Sequence, residues 1–258
     1  MGRAPGVVVH ADKQELAAAV ADRLVTAVVE AQSSRGVADV VLTGGSMGSA
    51  VLSALGDSPG RDAIDWSALR LWWGDERYLP AGDPERNETQ AREALLDRLE
   101  LPVANVHPVP AADSGTASAE EAADRYAEQL TAAAEPGESV PRFDVVLLGV
   151  GPDAHVASLF PGHPALYERD RTTVAVHGSP KPPPTRVSLT FPALCSGRDV
   201  WFTVSGPDKA DAVGLALSGA GEMQAPAAGV HGTRSTVWLL DRAAAEHVPP
   251  ELVRIASP

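Results

Sequence analysis

The sequence predicts an α/β fold, a single domain over residues 1–258 with a mostly parallel, Rossmann-like sheet flanked by helices. Three observations carry that prediction. Short apolar runs such as Val145–Leu148 suit strands buried on both faces, as in a parallel sheet covered by helices. Stretches with apolar residues four apart fall between these runs, so strand and helix alternate along the chain. Several runs end in glycine, at the carboxyl edge where open α/β sheets bind ligands. No internal repeat or low-complexity tract interrupts the alternation.

Val7–His10 reads as the first strand. Asp12 with Glu15 starts a helix whose apolar positions are Leu16, Val20, Leu24 and Val28, and Gly36 is its left-handed stop. Asp39–Leu42 is the second strand. It runs into Thr43-Gly44-Gly45-Ser46, glycines plus a serine placed to cap the next helix, which together make a nest of backbone N–H groups for an anion. Leu69–Trp73 is the third strand and leads into Gly74-Asp75-Glu76-Arg77, read as a charged loop at the ligand edge. A polar loop holding Asp83, Arg86 and Asn87 precedes a helix with Ala91, Leu95 and Leu99 on one face. Ala119–Ala134 is a longer helix, with Ala122, Tyr126 and Leu130 at i+4 spacing.

The central stretch is FDVVLLGVGPDAHVASLFPGHP, Phe143–Pro164. Gly149 and Gly151 allow a sharp turn after the strand, and Pro152-Asp153 is expected to head a short helix that carries His155 until Pro161-Gly162 ends it. Thr172–His177 and Arg186–Thr190 are strands on either side of a stiff Gly178–Pro184 segment with three consecutive prolines. Asp199–Ser205 is a further strand, Gly206-Pro207-Asp208-Lys209 opens a helix, and Ser235–Asp241 is the last strand.

Composition narrows the function. With 21 basic and 34 acidic residues the chain carries −13, so it offers no general attraction to nucleic acid or to an anionic membrane, and an anionic ligand needs a local basic cluster. Only three of the basic residues are lysines: Lys13, Lys181 and Lys209. Cys195 is the only cysteine, which excludes internal disulfides and reads as a small buried hydrophobe. No apolar run is long enough for a membrane span and MGRAPGVVVH does not read as a signal peptide, so a cytoplasmic enzyme or binding protein is expected.

The motifs narrow it further. Gly149-Val-Gly151-Pro-Asp-Ala154 matches a dinucleotide fingerprint formally, but it lacks the long following helix and the acidic residue closing the next strand. No Gly-Lys-Ser/Thr closes a phosphate loop. No HExxH or cysteine cluster offers a metal site, and no Gly-x-Ser-x-Gly elbow offers a hydrolase triad. What remains is His155 near carboxylates, with Arg77, Arg86, Lys181, Arg186 and Lys209 as scattered cations.

GVGPDAHVASLFPGHP resembles the GxGxDGHxASLFPG signature of the 6-phosphogluconolactonases. TGGS at Thr43–Ser46, WGDERYLP at Trp73–Pro80, SPKPPPTRVSLT at Ser179–Thr190 and SGPDKADAV at Ser205–Val213 are similar to that family's other blocks, in the same order. The resemblance implies a fold like that of glucosamine-6-phosphate deaminases and ribose-5-phosphate isomerases. It implies hydrolysis of 6-phospho-D-glucono-1,5-lactone in the pentose phosphate pathway, with a small sugar-phosphate lactone as partner, no cofactor and no obligatory metal. His155 matches the family's acid/base. Gly44, Gly45 and Ser46 match the loop facing the sugar phosphate, Arg77, Arg186 and Lys209 the basic residues around the ligand, and Asn87 a family asparagine; Thr43 and Lys181, in the same motifs, complete the expected substrate- and phosphate-binding set. Lactone hydrolysis needs a proton taken from water and one given to the ring oxygen, which one imidazole can do near neutrality, with Asp75 or Asp153 orienting it. The chain departs from the pattern at Ala154, where the family has glycine, and at Arg86, where it has serine.

Overall fold

The computed structural model describes residues 5–255. In chain order the strands are β1 (Gly6–His10), β2 (Ala38–Leu42), β3 (Leu69–Trp73), β4 (Asp75–Arg77), β5 (Val145–Leu148), β6 (Thr173–Val176), β7 (Arg186–Leu189), β8 (Asp199–Val204), β9 (Ser235–Asp241) and β10 (Val253–Ile255). The α-helices are α1 (Lys13–Arg35), α2 (Gly45–Asp57), α3 (Asn87–Ala94), α4 (Ala119–Ala133), α5 (Phe191–Cys195), α6 (Ala210–Leu217) and α7 (Pro226–Gly229).

Seven strands form one parallel sheet in the order β10-β1-β9-β8-β5-β2-β3. Successive residues of its inner strands enter different cores. Val40, Leu42, Val145 and Leu147 pack with the apolar faces of α1 and α2, while Val41, Val146 and Leu148 pack with α4 and the second half of the chain. Burial on both faces is the physical reason these strands are unbroken apolar runs. Helix α1 follows its sequence signals: Asp12 accepts from Gln14 N and Glu15 N at its start, and Gly36 (φ 78°) closes it by donating to Gln32 O.

The parallel sheet runs outward in opposite directions from β2 and β5, toward β3 on one side and β8 on the other. The crevice at such a switch point is where open α/β sheets take ligands. Here Gly149 N, just past β5, donates to Thr43 Oγ1, just past β2, at 3.2 Å. A second, antiparallel sheet, β4-β7-β6, stands at the same carboxyl edge. Gly74 joins the two sheets, its N–H donating to Leu42 O in the first and its carbonyl accepting from Leu189 N in the second. The buried Tyr126 hydroxyl of α4 pins the junction by donating to Trp73 O and accepting from Trp73 N, both at 2.9 Å.

Five local expectations are corrected. Asp75-Glu76-Arg77 is a strand, because its backbone pairs with β7 even though its side chains are charged. No helix carries His155; Ala154 (φ 64°) and Ala157 (φ 48°) are left-handed, which stops a helix after one turn, and the chain makes tight turns closed by Ala154 N→Gly151 O and Leu159 N→Val156 O. Helix α3 stops at Ala94, so Leu95 and Leu99 lie beyond it. Ser46 does not cap α2, whose N-cap is Gly44 and carries no side-chain cap bond. The short β10 adds a strand beyond Ser235–Asp241.

Candidate active site

The loops after β2 and β5 face each other across the switch point, and the β4–β7 sheet walls the space beside them. The result is a cavity of about 340 Å³. It is lined by Thr43, Gly44, Gly45, Ser46, Asp75, Arg77, Asn87, His155, Lys181, Arg186 and Lys209; of the candidate site residues and cations weighed in the sequence, Asp153 and Arg86 do not line it.

Asp153 stands behind the imidazole. Its Oδ1 lies 2.5 Å from His155 Nδ1, while none of the hydrogen bonds described for Asp75 reaches His155. Of the two carboxylates, Asp153 is the one hydrogen-bonded to the imidazole. With Nδ1 facing a carboxylate, the proton of a neutral imidazole sits on Nδ1 and the lone pair on Nε2. The ring lies close against Gly151, where a Cβ would collide with Nδ1 and Cε1, and packs against Phe160 at 4.4 Å between centroids. Burial raises the Asp153 carboxyl, but the bond and charge of His155, with Lys181, outweigh it and hold it well below the usual carboxylate range.

Lys181 Nζ lies 3.5 Å from His155 Nδ1 and 3.6 Å from Asp153 Oδ1. Burial depresses its ammonium, and Lys209 and Arg186 push the same way against the pull of Asp153. Arg186, buried at the start of β7, donates from Nη2 to Lys181 O and Pro182 O and from Nε to Pro183 O, so its guanidinium organises the proline segment as well as facing the cavity. It also lies 3.9 Å from Asp75 Oδ2, which accepts from Ser158 Oγ at 2.6 Å. Asp75 is thus tied to Arg186 and Ser158. Asn87 donates to Asp75 O at 2.8 Å and lies so close to Gly44 that a Cβ there would collide with its amide. Lys209 follows β8, with Nζ 2.9 Å from Asp208.

Residues 11–238 match the model of the family described as glucosamine-6-phosphate isomerases/6-phosphogluconolactonase. The chain belongs to that family. A 6-phosphogluconolactonase of Streptomyces coelicolor is 58% identical over 100% of both chains, and one of Mycobacterium tuberculosis is 49% identical over 92% of this chain and 96% of the relative. Among solved structures, a 6-phosphogluconolactonase from Trypanosoma brucei is similar with a TM-score of 0.80 and 30% identity, covering 96% of this chain and 100% of the other. A monomeric glucosamine-6-phosphate deaminase of the NagB superfamily shares the fold at TM-score 0.77 and 18% identity, covering 94% of this chain and 99% of that one.

Against the glucosamine-6-phosphate isomerase/6-phosphogluconolactonase pattern, the two departures resolve differently. Ala154 keeps a glycine-like backbone and is fully buried, its carbonyl held by Ala227 N at 3.0 Å. Arg86 does not line the cavity. It is 1% exposed and donates to Val109 O, Leu79 O and Arg77 O, bracing the loop behind the cavity. Sequence reasoning missed Thr203 and Ser205, which line the cavity at the end of β8; Ser205 Oγ donates to Asp241 Oδ2 at 2.5 Å. Their position at the carboxyl end of a predicted strand was the available signal. It also missed Glu76, which in sequence is one charge in a run of three.

Proposed function

We propose that the chain hydrolyses 6-phospho-D-glucono-1,5-lactone to 6-phospho-D-gluconate, in the oxidative pentose phosphate pathway of the cytoplasm. The observation that carries this reading is the Asp153–His155 pair opening into a cavity whose other walls hold Lys181, Arg186, Lys209 and Arg77. The full-length relative named 6-phosphogluconolactonase supports it. A cationic pocket in a chain of net charge −13 is a local feature built against the overall field, which is what a small phosphorylated ligand requires.

His155 Nε2 takes a proton from a water as its oxygen attacks C1 of the lactone. The carbonyl oxygen becomes an oxyanion, and the ammonium of Lys181, which lines the cavity beside His155, favours that charge. As the tetrahedral intermediate collapses, the bond from C1 to the ring oxygen breaks and imidazolium returns its proton to that oxygen. Asp153 holds the tautomer and stabilises the imidazolium between the two transfers. At the other end, the sugar phosphate meets the amino end of α2, where the N–H groups of Gly44–Ser46 lack helical partners, together with Arg186 and Lys209.

The test generates the lactone in situ, because it also opens spontaneously, and follows its disappearance at slightly acidic pH. Acceleration proportional to protein is expected. Equal rates with and without protein overturn the reading.

A further inference from the structure

Glu76 is fully buried, yet the chemistry above does not use it. It lies on β4 between Asp75 and Arg77, both of which line the cavity. Its Oε1 accepts from Arg77 N and Asn87 N, each at 2.7 Å, and its Oε2 accepts from Glu88 N at 2.9 Å. The N-cap residue of α3 is Arg86, whose side chain makes no cap bond, so the free N–H groups of that helix are carried by a carboxylate from another element. Asn87, fixed in this way, donates to Asp75 and abuts Gly44. The phosphate-facing loop therefore rests on Asn87, and Asn87 rests on Glu76.

We propose that Glu76 is a positioning residue: its carboxylate holds Asn87 and Arg77 at the cavity wall, and affinity for the sugar phosphate follows its charge. This rests on the lactonase reading of the site.

The groups around Glu76 are Arg86 (Nη2 3.8 Å from Oε2) and Glu88 at the start of α3, Arg186 of β7, and the Tyr126 hydroxyl of α4; Asp75 and Arg77 flank it on β4, where successive side chains alternate in direction. Burial outweighs Arg86 and the three backbone N–H groups and pushes the carboxyl up to about 7. Both charge states are therefore populated near neutrality. A protonated oxygen becomes a donor among three N–H groups that need acceptors, so protonation loosens the start of α3 and the wall it supports.

The experiment measures the Kd of 6-phosphogluconate, a non-reacting ligand, by calorimetry from pH 6 to 8.5 on wild type and Glu76→Gln. The ligand phosphate titrates near pH 6 and contributes equally to both proteins. If only the ionised form binds, wild type weakens between pH 8 and 6 by up to ~10-fold more than the variant does. In turnover, Glu76→Gln raises KM and leaves kcat within about 2-fold, which simple misfolding would not do. Parallel pH profiles for the two proteins overturn this proposal alone. Wild type that neither binds nor turns over overturns the lactonase reading and this proposal with it. If the variant does not fold, the 13C-carboxyl resonance of Glu76 in wild type decides: ligand must lower its titration midpoint, by reciprocity, and an unmoved midpoint overturns the proposal.

Discussion

Nδ1 of His155 is committed to Asp153, which leaves one nitrogen for chemistry and makes the imidazole the most exposed point of the proposal. His155→Asn is expected to lower kcat by roughly 10²–10⁴-fold with KM little changed, and steady-state kinetics on in-situ lactone check it. Near-full kcat would end the general-base assignment. The neighbouring Ala154 poses a contest of small terms. Its left-handed φ of 64° costs about 1–2 kcal/mol, which Ala154→Gly would relieve. The change also exposes the loss of one buried methyl, about 0.8 kcal/mol, and frees the unfolded chain by about 0.4–1 kcal/mol. The sum is close to zero, so denaturant midpoints should place Ala154→Gly within about 1 kcal/mol of wild type. Ala154→Val, with a branched side chain in a left-handed site, should be clearly destabilised. At this scale the sequence offered His155 and two carboxylates as candidates but not which carboxylate touches the imidazole, because that depends on a turn two residues long that only the folded backbone defines.

The elements legible in sequence were those whose local pattern and tertiary role agree. Buried parallel strands such as β3 are apolar because both faces are covered, and α1 announces itself through Asp12 and Gly36. Strand β4 was illegible because its identity comes from pairing with β7, and three charged side chains outvote that in any local reading. Glu76 belongs to the same case and yields a stability prediction. Its carboxyl is raised from 4.5 to about 7 in the folded state, so folding favours the protonated form. That contribution is fully present below about pH 4.5 and is lost as pH rises through about 7. Thermal unfolding of wild type and Glu76→Gln across pH 4–8.5 should therefore show the difference moving in favour of the glutamine as pH rises. A difference that stays constant would mean that Glu76 keeps an ordinary carboxylate range when folded.

The whole molecule assembles the cationic pocket from distant parts of the chain. Arg186 comes from the antiparallel sheet, Lys209 from just past the carboxyl end of β8 in the middle of the parallel one, and the amino end of α2 lies at the switch point. These contributions were individually visible in sequence, but their roles were not equal, and the structure separates them. Among the described residues the ion pair of Lys209 is with Asp208, the residue just before it, so Lys209→Ala should remove a phosphate contact and little else. A charge-assisted hydrogen bond contributes about 1.5–3 kcal/mol, which predicts a roughly 10–150-fold loss in binding of the phosphorylated lactone. Unphosphorylated gluconolactone lacks the partner and should be turned over as by wild type. Arg186→Ala should differ in kind. It strips donors from the carbonyls of Lys181, Pro182 and Pro183 and leaves Asp75 without its cation, so it disturbs the segment that carries Lys181. Both lactones should then suffer, and Tm should fall. Parallel kinetics on the two substrates, with Tm measured for each variant, test the distinction. If Lys209→Ala harms both lactones equally, Lys209 does not act on the phosphate, and the division of the cavity into a phosphate end and a reacting end fails.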